Sequence, residues 1–378
     1  MIETDVMVDS GMKIICSRDE LAAKLALVSR AVSTRTAVQI LAGVLLRAEE
    51  GKLHLAATDM ELSLRSSLDA QLEGEGSVVV PGRLLVDLVK LLPDTEVTIE
   101  YRAEEGVVHI ESGTSKNRLN TYNAEDFPRL PELDAQTSFS VDREVLLDTV
   151  SRVQRAASRD ESRPVLTGIF ARFEGGRLIM AATDSYRLSV METTLESDAP
   201  DLEAIVPARA LAELARIAGT ADRVEIGVQE NQVVFSAADE DVYLTSRRID
   251  GQFPNYKQLV PETFEHEVTL PRAELLEVVR RVSVLVQRNS PLRLRFAEGE
   301  LTVSAQTQDV GEATESLPVS YTGEPLEIGF NAEFLRDGIE SVTSDDFRLK
   351  LISPLRPAVI KAEGDDFTYL IMPIRLAG

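Results

Sequence analysis

The sequence is poor in the side chains that most often bind metals. Its 378 residues include one cysteine, Cys16, and three histidines, His54, His109 and His266. A single cysteine excludes an intramolecular disulfide framework and a zinc site built from cysteines. The three histidines are widely separated in the sequence, so a His/Cys metal centre is disfavoured. We therefore expect neither a metal nor a cofactor.

Long hydrophobic runs and the common enzyme motifs are also missing. No apolar run approaches the roughly 18 residues that a membrane span requires, and residues 1–11 are acidic, unlike a secretion signal. These features predict a cytoplasmic protein. The sequence has no G-x-x-x-x-G-K-[ST] phosphate loop, no G-x-G-x-x-G motif and no G-x-S-x-G elbow. Spacing alone leaves a Ser/His/Asp triad open, but the missing motifs favour a protein that is not an enzyme.

Basic residues are outnumbered by acidic ones. The chain has 63 Asp and Glu residues against 40 Lys and Arg residues, which gives a formal net charge of −23. This charge opposes tight binding to DNA by the protein as a whole, because attraction to phosphates requires a basic surface. The positions of the basic residues therefore matter more than their number.

An internal repeat is the main feature that the sequence does contain. Three landmarks recur in order about 125 residues later: Ala57-Thr58-Asp59 as Ala182-Thr183-Asp184, Val80-Pro81 as Val206-Pro207, and Phe127-Pro128 as Phe253-Pro254. A weaker third copy has Arg272 to Val279 in place of Arg143 to Val150, and Ile328 to Leu335 in place of Ile205 to Ala212. A period of this size is that of a small domain, not of a solenoid unit.

The repeat predicts three homologous domains and an α+β fold. The predicted segments are an N-terminal extension at residues 1–11 and domains at residues 12–133, 134–263 and 264–378. Each copy opens with a helix, which in the first copy begins with a capping box of Ser17 and Glu20. A second helix follows the Val-Pro element, and its predicted apolar stripe is Leu84, Leu85, Leu88 and Leu91. Short alternating runs predict antiparallel sheets on which the two helices of each domain pack.

Many basic residues lie on these predicted helices and at their ends. We predict that the DNA-facing set is Lys24, Arg30, Arg35, Arg83, Lys90, Arg152, Arg155, Arg159, Arg163, Arg209, Arg216, Arg280, Arg281 and Arg288. The alternative is that each is an ordinary solvated helix face. Recurrence over six helices favours a common basic surface that holds DNA through its phosphates without reading the bases.

Four segments resemble the bacterial sliding clamp family, the beta subunits of DNA polymerase III. They are Ala182 to Leu188, Phe253 to Tyr256, Ile328 to Asn331 and Tyr369 to Leu376. The resemblance starts at Met12, so residues 1–11 are interpreted as an extension or an upstream start. It implies the DNA clamp fold, in which two three-domain subunits close head to tail into a six-domain ring with helices lining the hole. A closed head-to-tail contact uses different patches on each partner, with Val284 and Leu285 expected on the third-domain side.

The resemblance also implies one peptide-docking pocket per subunit, between the second and third domains. The residues that match its lining are Leu166, Thr183, Ser185, Tyr186, Arg187, Leu188, Pro254, Leu259, Leu355, Pro357, Leu370, Ile371, Met372, Pro373, Ile374, Arg375 and Leu376. An apolar cleft with Arg187 and Arg375 at its rim suits the Leu or Phe anchors and the acidic or polar groups of a linear peptide.

Some residues depart from the family's pattern. Ser185-Tyr186 replaces the usual Gly-His before the pocket arginine, and Lys257-Gln258 replaces a basic pair. The family's early loop arginine matches Arg35, but its loop aromatic pair falls at Pro164 and Val165. Stacking of aromatic side chains on a DNA strand is therefore not expected here.

The function that the resemblance implies is that of a processivity factor. Such a ring encircles double-stranded DNA without sequence specificity and tethers the replicative polymerase. The implied partners are DNA, a second copy of the chain, the polymerase catalytic subunit, the clamp loader, repair polymerases, mismatch repair proteins and ligase, with no membrane. Two alternatives remain open at this point. One is a catalytic enzyme with nuclease or polymerase activity, and the other is a monomeric interaction scaffold with no role on DNA.

Overall fold

The structure is a computed structural model that describes most of the chain. The described residues are 11–33, 37–131, 138–196, 199–237, 241–287, 290–307, 311–364 and 366–376. Two residues of the predicted DNA-facing set, Arg35 and Arg288, lie outside them. No helix among the described residues is long and apolar enough to cross a membrane.

Helices begin near the positions that the sequence predicts. They are α1 (Arg18–Val28), α2 (Gly82–Leu91), α3 (Arg143–Val153), α4 (Pro164–Thr167), α5 (Ala208–Ile217), α6 (Arg272–Ser283) and α7 (Ala332–Glu340). Ser17 is the N-cap of α1, because its side chain accepts a hydrogen bond from the Glu20 backbone N–H. This contact confirms the Ser17 half of the predicted capping box.

Short strands make up most of the remaining structure. Those of the first repeat are β1 (Lys13–Ser17), β2 (Gly43–Glu49), β3 (Lys52–Thr58), β4 (Leu62–Asp69), β5 (Gln71–Glu73), β6 (Gly76–Pro81), β7 (Glu96–Arg102), β8 (Val107–Ser112) and β9 (Ser115–Asn120). The second repeat contains β10 (Ser138–Asp142), β11 (Gly168–Glu174), β12 (Arg177–Thr183), β13 (Arg187–Thr194), β14 (Leu202–Pro207), β15 (Arg223–Val228), β16 (Gln232–Ala237) and β17 (Val242–Arg247). The third contains β18 (His266–Pro271), β19 (Leu292–Ala297), β20 (Glu300–Thr307), β21 (Gly311–Pro318), β22 (Leu326–Phe330), β23 (Asp346–Leu351), β24 (Ala358–Ala362) and β25 (Thr368–Ile371).

The same order of elements therefore occurs three times. In each copy a strand leads into a first helix, several strands follow, and a second helix precedes three final strands. Contacts within the chain nevertheless divide it into two compact units, residues 1–143 with 216–247 and residues 144–215 with 248–378. Because each unit combines segments of more than one repeat, the boundaries of the three domains stay a prediction.

The first unit contains a five-stranded and an eight-stranded antiparallel sheet. Their strand orders are β5-β1-β7-β8-β9 and β10-β15-β16-β17-β4-β3-β2-β6. The larger sheet is continuous across two repeats because β17, the last strand of the second repeat, pairs with β4 of the first. Helices α1 and α2 pack beside each other, and α1 buries Leu21, Leu25 and Val28.

The second unit repeats this design with a different pair of segments. Its sheets have the orders β14-β11-β12-β13-β25-β24-β23-β18 and β21-β20-β19-β22. Here β25, the last strand of the third repeat, pairs with β13 of the second. The last strand of a repeat therefore extends the sheet of the preceding repeat in both units.

The predicted apolar stripe of α2 is partly wrong. Leu85, Val86 and Val89 are buried, whereas Leu84 is 57% exposed and Leu91 is 82% exposed. The helix has leucine or valine at six of its ten positions, so the sequence alone does not select which side faces the core. Leu84 and Leu91 are instead apolar side chains on the surface of the chain.

Candidate functional site

The repeated Ala-Thr-Asp motif forms a tight turn between two strands. In the second unit Thr183 Oγ1 donates to the Arg187 carbonyl at 2.6 Å. Asp184 Oδ1 accepts hydrogen bonds from the backbone N–H groups of Tyr186 and Arg187 at 2.9 and 3.1 Å. The turn requires a positive φ of 80° at Ser185, where glycine is less strained. It leaves Tyr186 61% exposed at the surface.

The same turn occurs in the first unit, so the motif itself is structural. Thr58 Oγ1 donates to the Leu62 carbonyl at 3.1 Å, and Asp59 Oδ1 accepts from the Leu62 backbone N–H at 2.8 Å. Met60 has the positive φ, at 76°. What distinguishes the two units is therefore the set of side chains around the turn.

A buried apolar cluster lies beside the turn in the second unit. Leu188 of β13 is paired with Leu370 of β25, and both pack with Val359 of β24. Half-buried apolar side chains cover this cluster: Val190, Tyr256, Val260 and Phe264. In the equivalent strand pair of the first unit, Ser63 is paired with Thr245. The apolar surface is therefore specific to the second of these two equivalent positions.

Three neighbouring strands end at the same edge of the sheet. Ile371 of β25 is paired with Arg187 on one side and with Ala358 on the other. Tyr186, Pro357 and Met372, which adjoin these three residues in the sequence, therefore emerge together. Among the described large hydrophobic side chains, this end of the unit contributes several exposed members: Tyr186, Leu259, Leu355 and Met372. Exposed apolar groups that cluster in this way are typical of a protein-binding surface.

The segment after β25 adds a further wall. The Met372 backbone N–H donates to the Tyr186 carbonyl at 2.8 Å, and that of Ile374 donates to the Gly329 carbonyl at 2.7 Å. Pro373, between them, has no N–H to donate. Residues 372–376, which we call the tail, are thus attached by a backbone bond at each of two places.

The remaining predicted pocket residues lie at different depths. Leu166, Pro357, Pro373, Ile374 and Leu376 are half-buried, while Pro254 and Arg375 are exposed. Thr183, Leu188, Leu370 and Ile371 are buried. Sequence reasoning missed Val190, Val260, Phe264 and Val359. The alternation of side chains along β13 from Leu188 was a signal for Val190, whereas no local pattern links Val359 to the site.

Arg187 does not ring the cleft, so the sequence-based expectation for its position is wrong. The residue is 6% exposed. Its Nε lies 3.0 Å from Asp184 Oδ2 and its Nη1 lies 2.6 Å from Asp337 Oδ2. The guanidinium also lies 4.2 Å above the centre of the Phe334 ring. Arg187 therefore joins the turn to helix α7 from inside the unit, while Arg375 is exposed.

Arg152 is also buried, which contradicts its predicted place on a DNA-facing surface. It is 7% exposed, its Nε lies 3.0 Å from Asp148 Oδ2, and its Nη2 donates to Thr343 Oγ1 at 2.7 Å. A guanidinium enclosed in this way is not presented to a DNA phosphate. Its role in the structure is to join α3 to the segment after α7.

Acidic residues accompany several of the other predicted DNA-facing arginines. Arg155 and Arg280 both bind Glu340, the last residue of α7. Burial raises the pKa of Glu340, but the hydrogen bond from Arg280 and the charge of Arg155 outweigh it and hold the pKa below the usual value. Arg281 lies 2.8 Å from Glu315 Oε2, and Arg163 lies 3.0 Å from Asp160 Oδ2. These pairs weaken the positive field of the second unit.

Other members of the set are open to solvent. Arg30, Arg83, Lys90, Arg159, Arg209 and Arg216 are exposed, and Lys24 is half-buried. Of these, Arg83, Lys90 and Arg159 form no ion pair with another described residue. The predicted interface residue Val284 is 79% exposed just after α6, whereas Leu285 is half-buried. No group of three or more His, Cys, Asp or Glu residues in the described part of the chain is placed to bind a metal.

Repeated helices on antiparallel sheets, together with an exposed apolar surface beside the C-terminal strand, define an α+β protein built to bind other macromolecules. Three family models match the chain in order: the N-terminal domain of the DNA polymerase III beta subunit at residues 12–131, its central domain at 140–255 and its C-terminal domain at 257–375. The chain belongs to the family of DNA polymerase III beta subunits, the beta sliding clamps.

Relatives and solved structures match the chain over nearly its whole length. The beta sliding clamps of Synechococcus elongatus and Streptomyces coelicolor are each 36% identical to the chain, and each match covers 97% of this chain and 100% of the relative. The sliding clamp of Bacillus subtilis has a TM-score of 0.92 at 27% identity, covering 97% of this chain and 100% of that one. That of Pseudomonas aeruginosa, bound to griselimycin, has a TM-score of 0.89 at 30% identity with the same coverage. The predicted α+β clamp fold and the predicted family are confirmed.

Proposed function

We propose that the chain is a non-catalytic, cytoplasmic processivity factor that acts as a closed ring of two copies around duplex DNA. Membership of the beta sliding clamp family is the observation that supports this proposal most directly. The ring holds DNA because it encloses it, so strong attraction between the protein and the phosphates is unnecessary. A net charge of −23 is compatible with this role.

The edge strands of the two smaller sheets support head-to-tail closure. Within the chain, the last strand of the second repeat pairs with β4 and the last strand of the third repeat pairs with β13. The equivalent strand of the first repeat, β9, lies at the edge of its sheet, and β21, the third repeat's counterpart of β4 and β13, lies at the edge of another. Two exposed edges of this kind favour pairing between chains. We propose that β9 of one copy pairs with β21 of the other.

The two equivalent strand pairs within the chain, β17 with β4 and β25 with β13, also fix a register for this pairing. Leu244 of β17 is paired with Leu64 of β4, and Tyr369 of β25 is paired with Ser189 of β13. The residues at the same positions of β9 and β21 are Asn117 and Ala313. The next pair on the solvent side is then Arg118 with Glu312, both exposed and of opposite charge. Directly opposed charges of this kind stabilise an antiparallel pair.

A contact between helix ends within the chain also has an equivalent that we propose to form between two copies. Arg155, just beyond the first helix of the second repeat, contacts Asp337 and Glu340 near the end of α7, the second helix of the third repeat. Counted from the start of α6, Val284 occupies the position of Arg155, and Lys90 of α2 occupies that of Glu340. Leu91, next to Lys90, and Val284 are the two most exposed large hydrophobic side chains in the described part of the chain. We propose that they meet between copies and lose their exposure to water.

Engineered cysteines test this closure and its register. Directly paired residues have Cα atoms about 4.5–5.5 Å apart, within disulfide range, whereas residues displaced by two are about 7–8 Å apart. We expect the variant Asn117→Cys with Ala313→Cys to form a covalently closed dimer under mild oxidation. The matched control, Asn117→Cys with Glu315→Cys, should remain largely uncrosslinked. Burial raises the pKa of the native Cys16 thiol to about 12, so this residue should not interfere.

We further propose that linear peptides of partner proteins dock at the apolar surface of the second unit. The buried pair of Leu188 and Leu370 forms its floor, and the exposed Leu355 and Met372 are available to a peptide's Leu or Phe anchors. The proposed users are the polymerase catalytic subunit, the clamp loader, repair polymerases, mismatch repair proteins and ligase. On the DNA side, the exposed Arg83, Lys90 and Arg159 are the members of the basic set best placed to attract phosphates.

A primer-extension assay tests the function as a whole. With a clamp loader and a replicative polymerase, adding the chain should lengthen the product made in a single binding event. The purified chain alone should neither cut nor extend DNA. Product length that does not respond to the chain would contradict the proposal, and intrinsic nuclease or polymerase activity would favour the enzyme alternative.

A further inference from the structure

One position of the repeat carries a branched apolar residue in the first two copies and a glycine in the third. Val79, Ile205 and Gly329 each lie three residues before the second helix of their repeat. Each carbonyl also accepts a backbone hydrogen bond from the segment that follows the last strand of its repeat. The donors are Tyr122 at 2.8 Å, Ile249 at 2.9 Å and Ile374 at 2.7 Å. The three positions are therefore equivalent in structure, and the sequence alignment that placed Ile328 opposite Ile205 is wrong by one residue.

The side chains at the first two positions fill small apolar clusters. Val79 is buried with Leu45, Ala56 and Phe127, and Ile205 is buried with Phe170, Ala181 and Phe253. In each cluster a phenylalanine of the following segment packs against the side chain that the strand supplies. The strand and the following segment therefore attach to each other by side chains as well as by the backbone bond.

At Gly329, residues of the tail occupy the space that a side chain would fill. A Cβ atom built on Gly329 would lie 2.6 Å from Leu376 Cδ2, 2.9 Å from the Ile374 carbonyl oxygen and 3.2 Å from Pro291 Cβ. All three distances are shorter than ordinary van der Waals contact, and the second involves backbone that cannot rotate away. The absence of a side chain at residue 329 leaves a slot, and Leu376 occupies it.

We propose that Gly329 is a positioning residue for the peptide-docking surface. By admitting Leu376, it holds the tail at its far end, while the bond from Met372 to the Tyr186 carbonyl holds the near end. The wall made by Met372, Pro373 and Ile374 is then fixed before a peptide arrives. Because the wall is already ordered, the tail loses less conformational entropy when a peptide binds. This inference rests on the peptide-docking function proposed above.

Gly329→Val tests the proposal by restoring the residue type that the first repeat has at this position. The added side chain should displace Leu376 and weaken the bond from Ile374. Hydrogen exchange at the Ile374 amide should become at least tenfold faster. A fluorescein-labelled acidic peptide with Leu and Phe anchors should bind the full-length dimer at least tenfold more weakly.

Two further variants separate the slot from general damage to β22. Leu376→Ala leaves Gly329 in place but empties the slot. It should therefore also speed hydrogen exchange at the Ile374 amide and reduce peptide affinity. Glu327→Val places the same β-branched side chain at an exposed position two residues earlier in the strand and should change neither measurement. Combining Gly329→Val with Leu376→Ala should reduce peptide affinity little more than either change alone, because both changes act through one contact.

Exchange at Ile374 also separates this inference from the proposed function. If the unmodified chain binds no peptide, the docking proposal fails, but exchange still reports whether Gly329 holds the tail. Unchanged exchange in Gly329→Val, or faster exchange with undiminished peptide affinity, would overturn the positioning role. An equal loss of affinity in Glu327→Val would do the same, since the defect would then belong to the strand.

Discussion

Replacing Arg187 by leucine should destabilise the second unit strongly. The Arg187 side chain is 7% exposed, and its Nη1 lies 2.6 Å from Oδ2 of Asp337, whose side chain is 11% exposed. Leucine would leave that carboxylate buried with only the longer contact to Arg155, at 3.4 Å. Breaking a buried ion pair from one side costs about 3–5 kcal/mol. Loss of the stacking of the guanidinium on Phe334 is part of that cost.

The second change that isolates the cause is Asp337→Leu. When both Arg187 and Asp337 are replaced by apolar side chains, the Asp337 carboxylate is no longer left buried without its main partner, so the double variant should lose less stability than Arg187→Leu alone. Asp184 loses its contact with Arg187 in both variants. A suitable control is Arg172→Leu, which removes a more exposed pair with Glu203 and should cost less than about 1 kcal/mol. Urea titrations followed by circular dichroism, with hydrogen exchange in β13 and β25, measure these differences. A cost for Arg187→Leu no larger than that of the control would refute the reasoning.

Three further outcomes are expected. The pKa of Glu340 is lowered in the folded chain, so the carboxylate stabilises the fold at pH values above its usual pKa of 4.5, and this contribution is lost as the pH falls below that value. In thermal melts, the melting temperature of Glu340→Gln should therefore fall less on acidification than that of the unmodified chain. Leu355→Asp should weaken peptide binding at least tenfold in a fluorescence titration while leaving the melting temperature unchanged, because Leu355 is 64% exposed. In DNA-binding titrations, Arg159→Glu should reduce affinity and its salt dependence, whereas Arg152→Met, at a buried position, should change the salt dependence little.

Elements repeated in the sequence were the easiest to predict. The Ala-Thr-Asp, Val-Pro and Phe-Pro landmarks recur after about 125 residues, and each marks the same place in two successive repeats of the fold. Helix starts followed local rules, as the Ser17 cap shows.

Partners distant in the sequence were the main source of error. Arg152 and Arg187 look like surface residues on their own elements, and only Thr343 and Asp337, more than 140 residues away, explain why they are buried. A buried charge requires such partners, and a local pattern does not reveal them. The orientation of α2 failed for a related reason. Its leucines are divided between the core and the surface, where we propose that a second copy covers Leu91.

The proposed ring would also explain two features that a single chain leaves unexplained. The strands β9 and β21 end their sheets without a further strand among the described residues. Leu91 and Val284 are highly exposed apolar side chains. The pairing between copies that we propose would account for both, because the equivalent strands and helix ends are already joined within the chain.

Topological retention on DNA is the central claim, and linearisation tests it most directly. The ring would be loaded onto nicked circular DNA, closed through Asn117→Cys and Ala313→Cys, and washed in moderate salt before and after the circle is cut. The account predicts that the protein stays on the circle and leaves once the DNA has an end. Retention that ignores the cut would contradict it, because the basic residues would then hold DNA by direct binding. Loss from the intact circle in spite of the crosslink would show that the chain does not enclose DNA.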